Sequence, residues 1–245
     1  MVNAHGAGAD WMDARVEGLE VTPRPGHTVE QNALWYALLE QLGELARAAG
    51  DAESERRWSV LARTVGRSFI DNLWREDMRF LLDSLAPDRE CADVRCNAIV
   101  AAALARSPLD PQQRADVVRR VGLELKTPLG LRTLAPKDAA YEGHYRGGAL
   151  ERSAAQHQGS VAIWPIGFYV EASLAVDPTR AAELNSLLDG FDGQLEVHGL
   201  GHVSELHDGD PPHRPGGVPM HAAGLGELLR ARTAVASALA SEGTQ

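Results

Sequence analysis

Cysteine is scarce in this chain. Cys91 and Cys96 are its two, spaced CADVRC, which is not a CxxC pair and has no second pair to complete a zinc site. They read as free thiols of a reducing compartment. Long apolar runs are missing as well: no stretch of about 18 or more residues could span a bilayer, and no positively charged start followed by an apolar run opens the chain. Positive charge is the minority sign, since 24 Lys and Arg against 34 Asp and Glu give a net charge of −10. The arginines are scattered rather than striped, so nothing resembles an electrostatic footprint for a phosphate backbone. Alternating apolar and polar residues, the mark of a half-buried strand, are almost absent. These absences argue against nucleic acid and membrane as partners and point to a soluble cytoplasmic protein.

What is present is helical. With 245 residues, 44% hydrophobic and 24% charged, the chain can bury a core as one large domain, residues 1–245. From Thr28 to Ala49, residues Leu34, Trp35, Leu38, Leu39, Leu42, Leu45 and Ala46 recur at the i, i+3, i+4 spacing of one buried helix face. Gly50 and Asp51 punctuate it, and a second helix follows from Asp51 to Glu76 with Trp58, Leu61, Val65, Phe69 and Leu73 inward, which makes an antiparallel hairpin. Further helices are expected at Asn97–Arg106, Asp110–Lys126, Val161–Val176, Pro178–Leu188 and His221–Ser241. Asp110-Pro111 and Asp177-Pro178 support two of the starts, because an Asp N-cap followed by Pro suits a helix N-terminus. About seven helices and no strands to speak of predict an all-α fold.

Residues Met1 to His27, Thr127 to Ser160 and Leu195 to Met220 hold most of the glycines, prolines, histidines and non-helical aromatics. A helical scaffold would display its chemistry on such loops. In the first, Asp10 and Asp13 flank Trp11 and Met12. A carboxylic acid beside a drying indole has the raised pKa of a general acid, and the indole offers a flat face to a sugar ring. Equally, an aspartate here can cap a turn while Trp11 plugs the core. In the second, His157 and Gln158 precede a glycine before an apolar run and suit sugar hydroxyls, or His157 serves as a cap. The third segment, GLGHVSELHDGDPPHRPGG from Gly199 to Gly217, contains His202, Glu205, His207, Asp208 and His213, with His198 just before it. Metal binding, a solvated loop and an acid/base role for Glu205 are its three readings, and no HExxH or comparable spacing fixes a ligand geometry.

In order along the chain, WMDARVEGLEVTPRPGHTVEQNALWYALL, TPLGLRTLAP, YEGHYRGG, HQGSV and SELHDGDPPHRPGG resemble the blocks of the C-terminal amylo-alpha-1,6-glucosidase domain of glycogen debranching enzymes. The resemblance implies an (α/α) six-hairpin toroid that hydrolyses α-1,6-linked glucose at glycogen branch points with inversion and without a cofactor or metal. By motif position it implies Asp13 as general acid and Glu205 as general base. It further implies Trp11, Arg24, Glu30, Asn32, Arg95, His157, Gln158 and His213 as contacts to a branched α-glucan or oligosaccharide, with Trp35 in the core. Inversion asks for carboxyl groups about 6.5 to 9.5 Å apart, so that a water fits beneath the sugar.

This chain departs from the family at several places. It has QHQGSVAIW where the family tends to read YHQGTVWPW, RCNA for RPNQ, and MHAA for AQAW, so that Gln156, Ala162 and Ala223 replace larger or aromatic groups. A complete toroid has twelve helices, and about seven are expected here; a neighbouring chain that supplies the preceding helices is a candidate partner. A non-catalytic glucan-binding module and a metal-dependent hydrolase are the alternative functions.

Overall fold

The computed structural model describes residues 1–3 and 10–242; residues 4–9 of the opening loop and 243–245 lie outside the described part. Among the described residues there are eight α-helices: α1 (Val29–Ala48), α2 (Ala52–Leu73), α3 (Ala98–Ala103), α4 (Pro111–Glu124), α5 (Ala149–His157), α6 (Ile166–Val176), α7 (Ala181–Asp189) and α8 (Ala222–Glu242). They pack in two rows. In the front row α1 touches α3, α3 touches α6, and α6 touches α8; behind it α2 backs α1, α4 backs α3 and α6, and α7 backs α8. One apolar cluster runs through both rows, from Val29 and Phe69 through Ile99, Val121 and Tyr169 to Val235.

Local chemistry explains the helix starts. The Asp51 side chain accepts the Ser54 amide at the head of α2. Asp110 and Gln113 form a reciprocal capping box at α4, with Pro111 in the first turn where its missing N–H costs nothing. Asp177 caps Thr179 as expected, but it opens a single 3₁₀ turn, Pro178–Arg180, and α7 begins after it.

The fold is mainly helical, with an addition that periodicity did not predict. Among the described residues, strands of two or three residues form four small antiparallel sheets. The largest joins Lys126–Thr127, Gly130–Arg132, Val161–Ala162, Leu206–His207 and Pro215–Gly216. Elements this short carry no readable period of two, so strict all-α was too simple. The expected helix from Val161 splits for the same reason: Val161 and Ala162 pair with Arg132 and Leu131 on one side and with His207 and Leu206 on the other, and the helix starts after Pro165. The second helix ends at Leu73 rather than Glu76, because Trp74 and Arg75 pair with Leu81 and Phe80. Helix α5 lies in what reads as loop, since Gly147 and Gly148 mask its start and it has nine residues.

The apolar face of α1 also turns out differently. Val29, Ala33, Leu39 and Gly43 are buried, whereas Leu34, Leu38 and Leu45 are 46%, 48% and 55% exposed. On α2, Val65, Phe69 and Leu73 face inward as expected, but Leu61 is exposed. Leu34, Leu38 and Leu45 share one stripe of the helix, and α1 has α3 as its front-row neighbour among the described residues.

Candidate active site

The N-terminal parts of the four front-row helices open on one cavity of about 420 Å³. Glu30 and Leu34 come from α1, Val100 from α3, Phe168 from α6 and Ala223 from α8; Trp11, Gln156, Ala162, Trp164, Glu205, Leu206 and His221 complete the lining. The five-stranded sheet fixes one wall, because the register that pairs Ala162 with Leu206 brings the chain into the cavity at Glu205.

Glu205 is held on both oxygens. Its Oε2 accepts the Val218 amide at 2.9 Å and its Oε1 accepts the Gln156 side-chain amide at 3.2 Å. Gly217 makes the first contact possible: its φ is +68°, and a Cβ there would stand 2.6 Å from Glu205 Oε2. His221 Nδ1 accepts the Gly224 amide at the start of α8 (3.1 Å), so the proton of the neutral ring sits on Nε2. Across the cavity the aromatic rings meet edge to face, Trp11 on Trp164 at 5.1 Å and Trp164 on Phe168 at 5.9 Å.

Behind Trp11 lies a buried knot of charge. Arg24 donates to both oxygens of Glu30 at 2.7 Å, to Asp83 Oδ2 at 2.6 Å, and approaches Asp10 at 3.3 Å. Burial opposes the Arg24 charge, but Asp83, Glu30 and Asp10 outweigh it and hold the guanidinium well above its ordinary value. Burial pushes the Glu30 carboxyl up, and the Arg24 pair opposes this without cancelling it. The knot reaches the cavity by a relay: Asp83 accepts from the Asn97 amide at 2.8 Å, and Asn97 accepts the Trp11 indole N–H at 2.9 Å. Trp11 therefore both packs on the core and faces the cavity.

Of the residues singled out from sequence, the cavity gathers Trp11, Glu30 and Glu205. Asp13 is half-buried in a turn, its amide on the Asp10 carbonyl at 3.2 Å, and Asp10 Oδ1 accepts the Met12 amide at 2.7 Å. Asp10 is thus the aspartate that caps this turn. Arg24 stands behind the lining, and fully buried Asn32 bonds Val2 and the Thr28 carbonyl. Arg95 is buried and ties Asp93, the His157 carbonyl and the Gln158 side chain together. His157 ends α5, with its ring edge on Trp11 at 5.5 Å and its Nδ1 without a hydrogen-bond partner among the described residues. Burial, and then the charges of Arg95 and Arg24, depress the His157 pKa to about 4. His213 sits at φ 56° with Nδ1 on the Asp208 carbonyl at 2.9 Å. Among the described residues no group of three His, Cys, Asp or Glu side chains could hold a metal.

Sequence reading missed Gln156, His221, Asp83 and Asn97. Gln156, His221 and Asn97 were in view as parts of departures from family blocks; Asp83 stands alone between apolar residues and a turn, with no local signal of its role.

The fold is one found in solved glycoside hydrolases. A GH63 mannosylglycerate hydrolase from Thermus thermophilus in complex with glucose aligns at 15% identity and a TM-score of 0.59, over 82% of this chain and 47% of that one. Neutral trehalase Nth1 from Saccharomyces cerevisiae aligns at 14% identity and 0.59, over 86% and 40%. A sialidase aligns at 12% and 0.65, over 85% and 20%. The chain spans about half the length of the Thermus protein and less of the others, and at such identities the likeness concerns the fold. No curated protein matches the chain by sequence. The family model for amylo-alpha-1,6-glucosidase matches residues 2–230, and the chain belongs to that family.

Proposed function

We propose that this chain is the catalytic domain of a debranching glucosidase, residues 1–245 forming part of a six-hairpin toroid that hydrolyses α-1,6 branch points of a cytoplasmic glycogen-type glucan with inversion. In this reading Glu205 is the general base that takes a proton from the attacking water, and Asp13 is the general acid that protonates the departing oxygen. Trp11 and Glu30 meet the sugar, and Arg24, Asn32, Arg95, His157, Gln158 and His213 shape and stiffen the walls around it. The single observation that carries the reading is the convergence of the Trp11 loop and a doubly held Glu205 carboxylate on one cavity. Two free, buried cysteines agree with a reducing location. Among the described residues no helix is long and apolar enough to cross a membrane.

Glu205→Gln keeps the shape of the side chain but cannot accept the water proton. It is expected to lower glucose release from a branched limit dextrin at least about a thousandfold with glucan binding retained, and Asp13→Asn to do the same by withholding the proton. The first sugar released is the β anomer, seen by NMR before mutarotation. Wild-type rates in Glu205→Gln, or release of the α anomer, overturn the assignment.

The exposed stripe at Leu34, Leu38 and Leu45 favours a second element: the front row continues past α1 on helices outside these residues, supplied by a longer chain or a partner. If glucan binds and no glucose appears even when such a segment is supplied, the domain is a glucan-binding module.

A further inference from the structure

Glu205 is a flexible side chain just ahead of a two-residue strand, yet its carboxylate plane has no free rotation. Turning it breaks either the bond from the Val218 amide to Oε2 or the bond from Gln156 Nε2 to Oε1. The first bond comes from backbone and depends on Gly217. The second comes from a side chain whose own base is fixed: Gln156 is the next-to-last residue of α5, and Arg95 grips the end of that helix through the His157 carbonyl at 2.6 Å and the Gln158 side chain at 2.7 Å.

We propose that Gln156 is a positioning residue for the Glu205 carboxylate, aiming its remaining acceptor sites into the cavity. This rests on the reading of Glu205 as the base that activates water. A base misaimed by more than about 0.5 Å loses most of its advantage, so a second fixed donor has a direct kinetic role. An amide is suited to the place because it donates without carrying charge, which leaves the carboxylate free to take a proton.

Two variants of the full chain test this. Gln156→Met keeps the length of the side chain and removes the N–H. It is expected to lower kcat for glucose release about tenfold at every pH, with KM within about twofold. Gln156→Glu keeps the shape but sets a second carboxyl against Glu205 and donates only while the pair holds one proton, so relative to wild type activity is retained on the acid side of neutrality and falls as the pH rises above the ordinary carboxylate range, where that shared proton is lost. A side chain that merely fills space predicts neither the kcat-specific loss nor the new pH limb. Both variants within twofold of wild type, with an unchanged pH profile, overturn the proposal. If wild type releases no glucose, the catalytic reading of Glu205 falls separately, and crystal structures of wild type and Gln156→Met decide the positioning. A carboxylate displaced by more than about 0.5 Å upholds it, and one in the same place overturns it.

Discussion

Helices α6 and α1 belong to the same row and are held in different ways. α6 lies between α3 and α8 with α4 behind it, and Ile166, Gly167, Tyr169, Val170, Ala172 and Ser173 are all buried. At Gly167 a Cβ would meet the Glu227 and Arg230 side chains of α8. α1 has α3 on one flank and α2 behind; its Leu34 lines the open cavity, and Leu38 and Leu45 are exposed. What it lacks in packing is offset at its first turn, where Glu30 is bound through Arg24 to Asp83 and the Asp10 loop. The middle of the row is fixed by apolar contact, and its end is fixed by charge.

Removing the charge is the strongest way to break this contrast. Arg24→Met strands Asp10 and Glu30 as buried acids and leaves Asp83 to Arg95 and Asn97, and is expected to cost about 3–5 kcal/mol in urea unfolding. A loss below about 1 kcal/mol means that the end of the row needs no ionic anchor. In the middle, Ile166→Ala leaves a cavity in a fully buried site and costs about 2–5 kcal/mol by the same measurement.

Acid tests two buried histidines, one at the end of α5 and one in the five-stranded sheet. His157 and His207 are depressed to about 4, chiefly by burial, and in His207 next by His213 and His198. Each is neutral in the fold and protonates near 6.5 once unfolded. Because the unfolded chain binds more protons between these values, stability is full above about pH 6.5 and falls as the pH drops toward 4. The expected loss is about 2–3 kcal/mol per histidine at pH 4.5. His207→Gln flattens that dependence by roughly half, and an unchanged slope removes His207 from the account.

Two further substitutions sharpen the comparison. Gly217→Ala forces a left-handed residue against Glu205 and costs about 1–2 kcal/mol, with a fall in any glucose release. On α1, Leu38→Ala changes stability by less than about 0.5 kcal/mol, whereas Leu39→Ala, one residue away and fully buried, costs about 2–5 kcal/mol. Equal losses at these neighbours would show that the exposed stripe is covered in solution.

Much of the fold was legible. Asp51 and the Asp110-Pro111 pair announced the starts of α2 and α4, and α1, α4 and α8 lie within a few residues of their expected ranges. The segments bearing Trp11 and Glu205 stood out by their residue types, and Glu30 came from the family blocks. The five-stranded sheet, α5 and the relay from Asp83 through Asn97 to Trp11 did not, because each depends on partners far away in sequence.

The sequence by itself determined the helix boundaries that have caps, the mainly helical class and the family, because caps, apolar spacing and ordered motifs act within short stretches of chain. Tertiary structure alone decided that Leu39 is core while Leu34 and Leu38 are surface, that Gln156 reaches Glu205, and that Arg24 gathers three acids. Burial and hydrogen bonding are properties of what lies opposite a side chain, and a helix's apolar stripe says that something should cover it without saying whether these residues do.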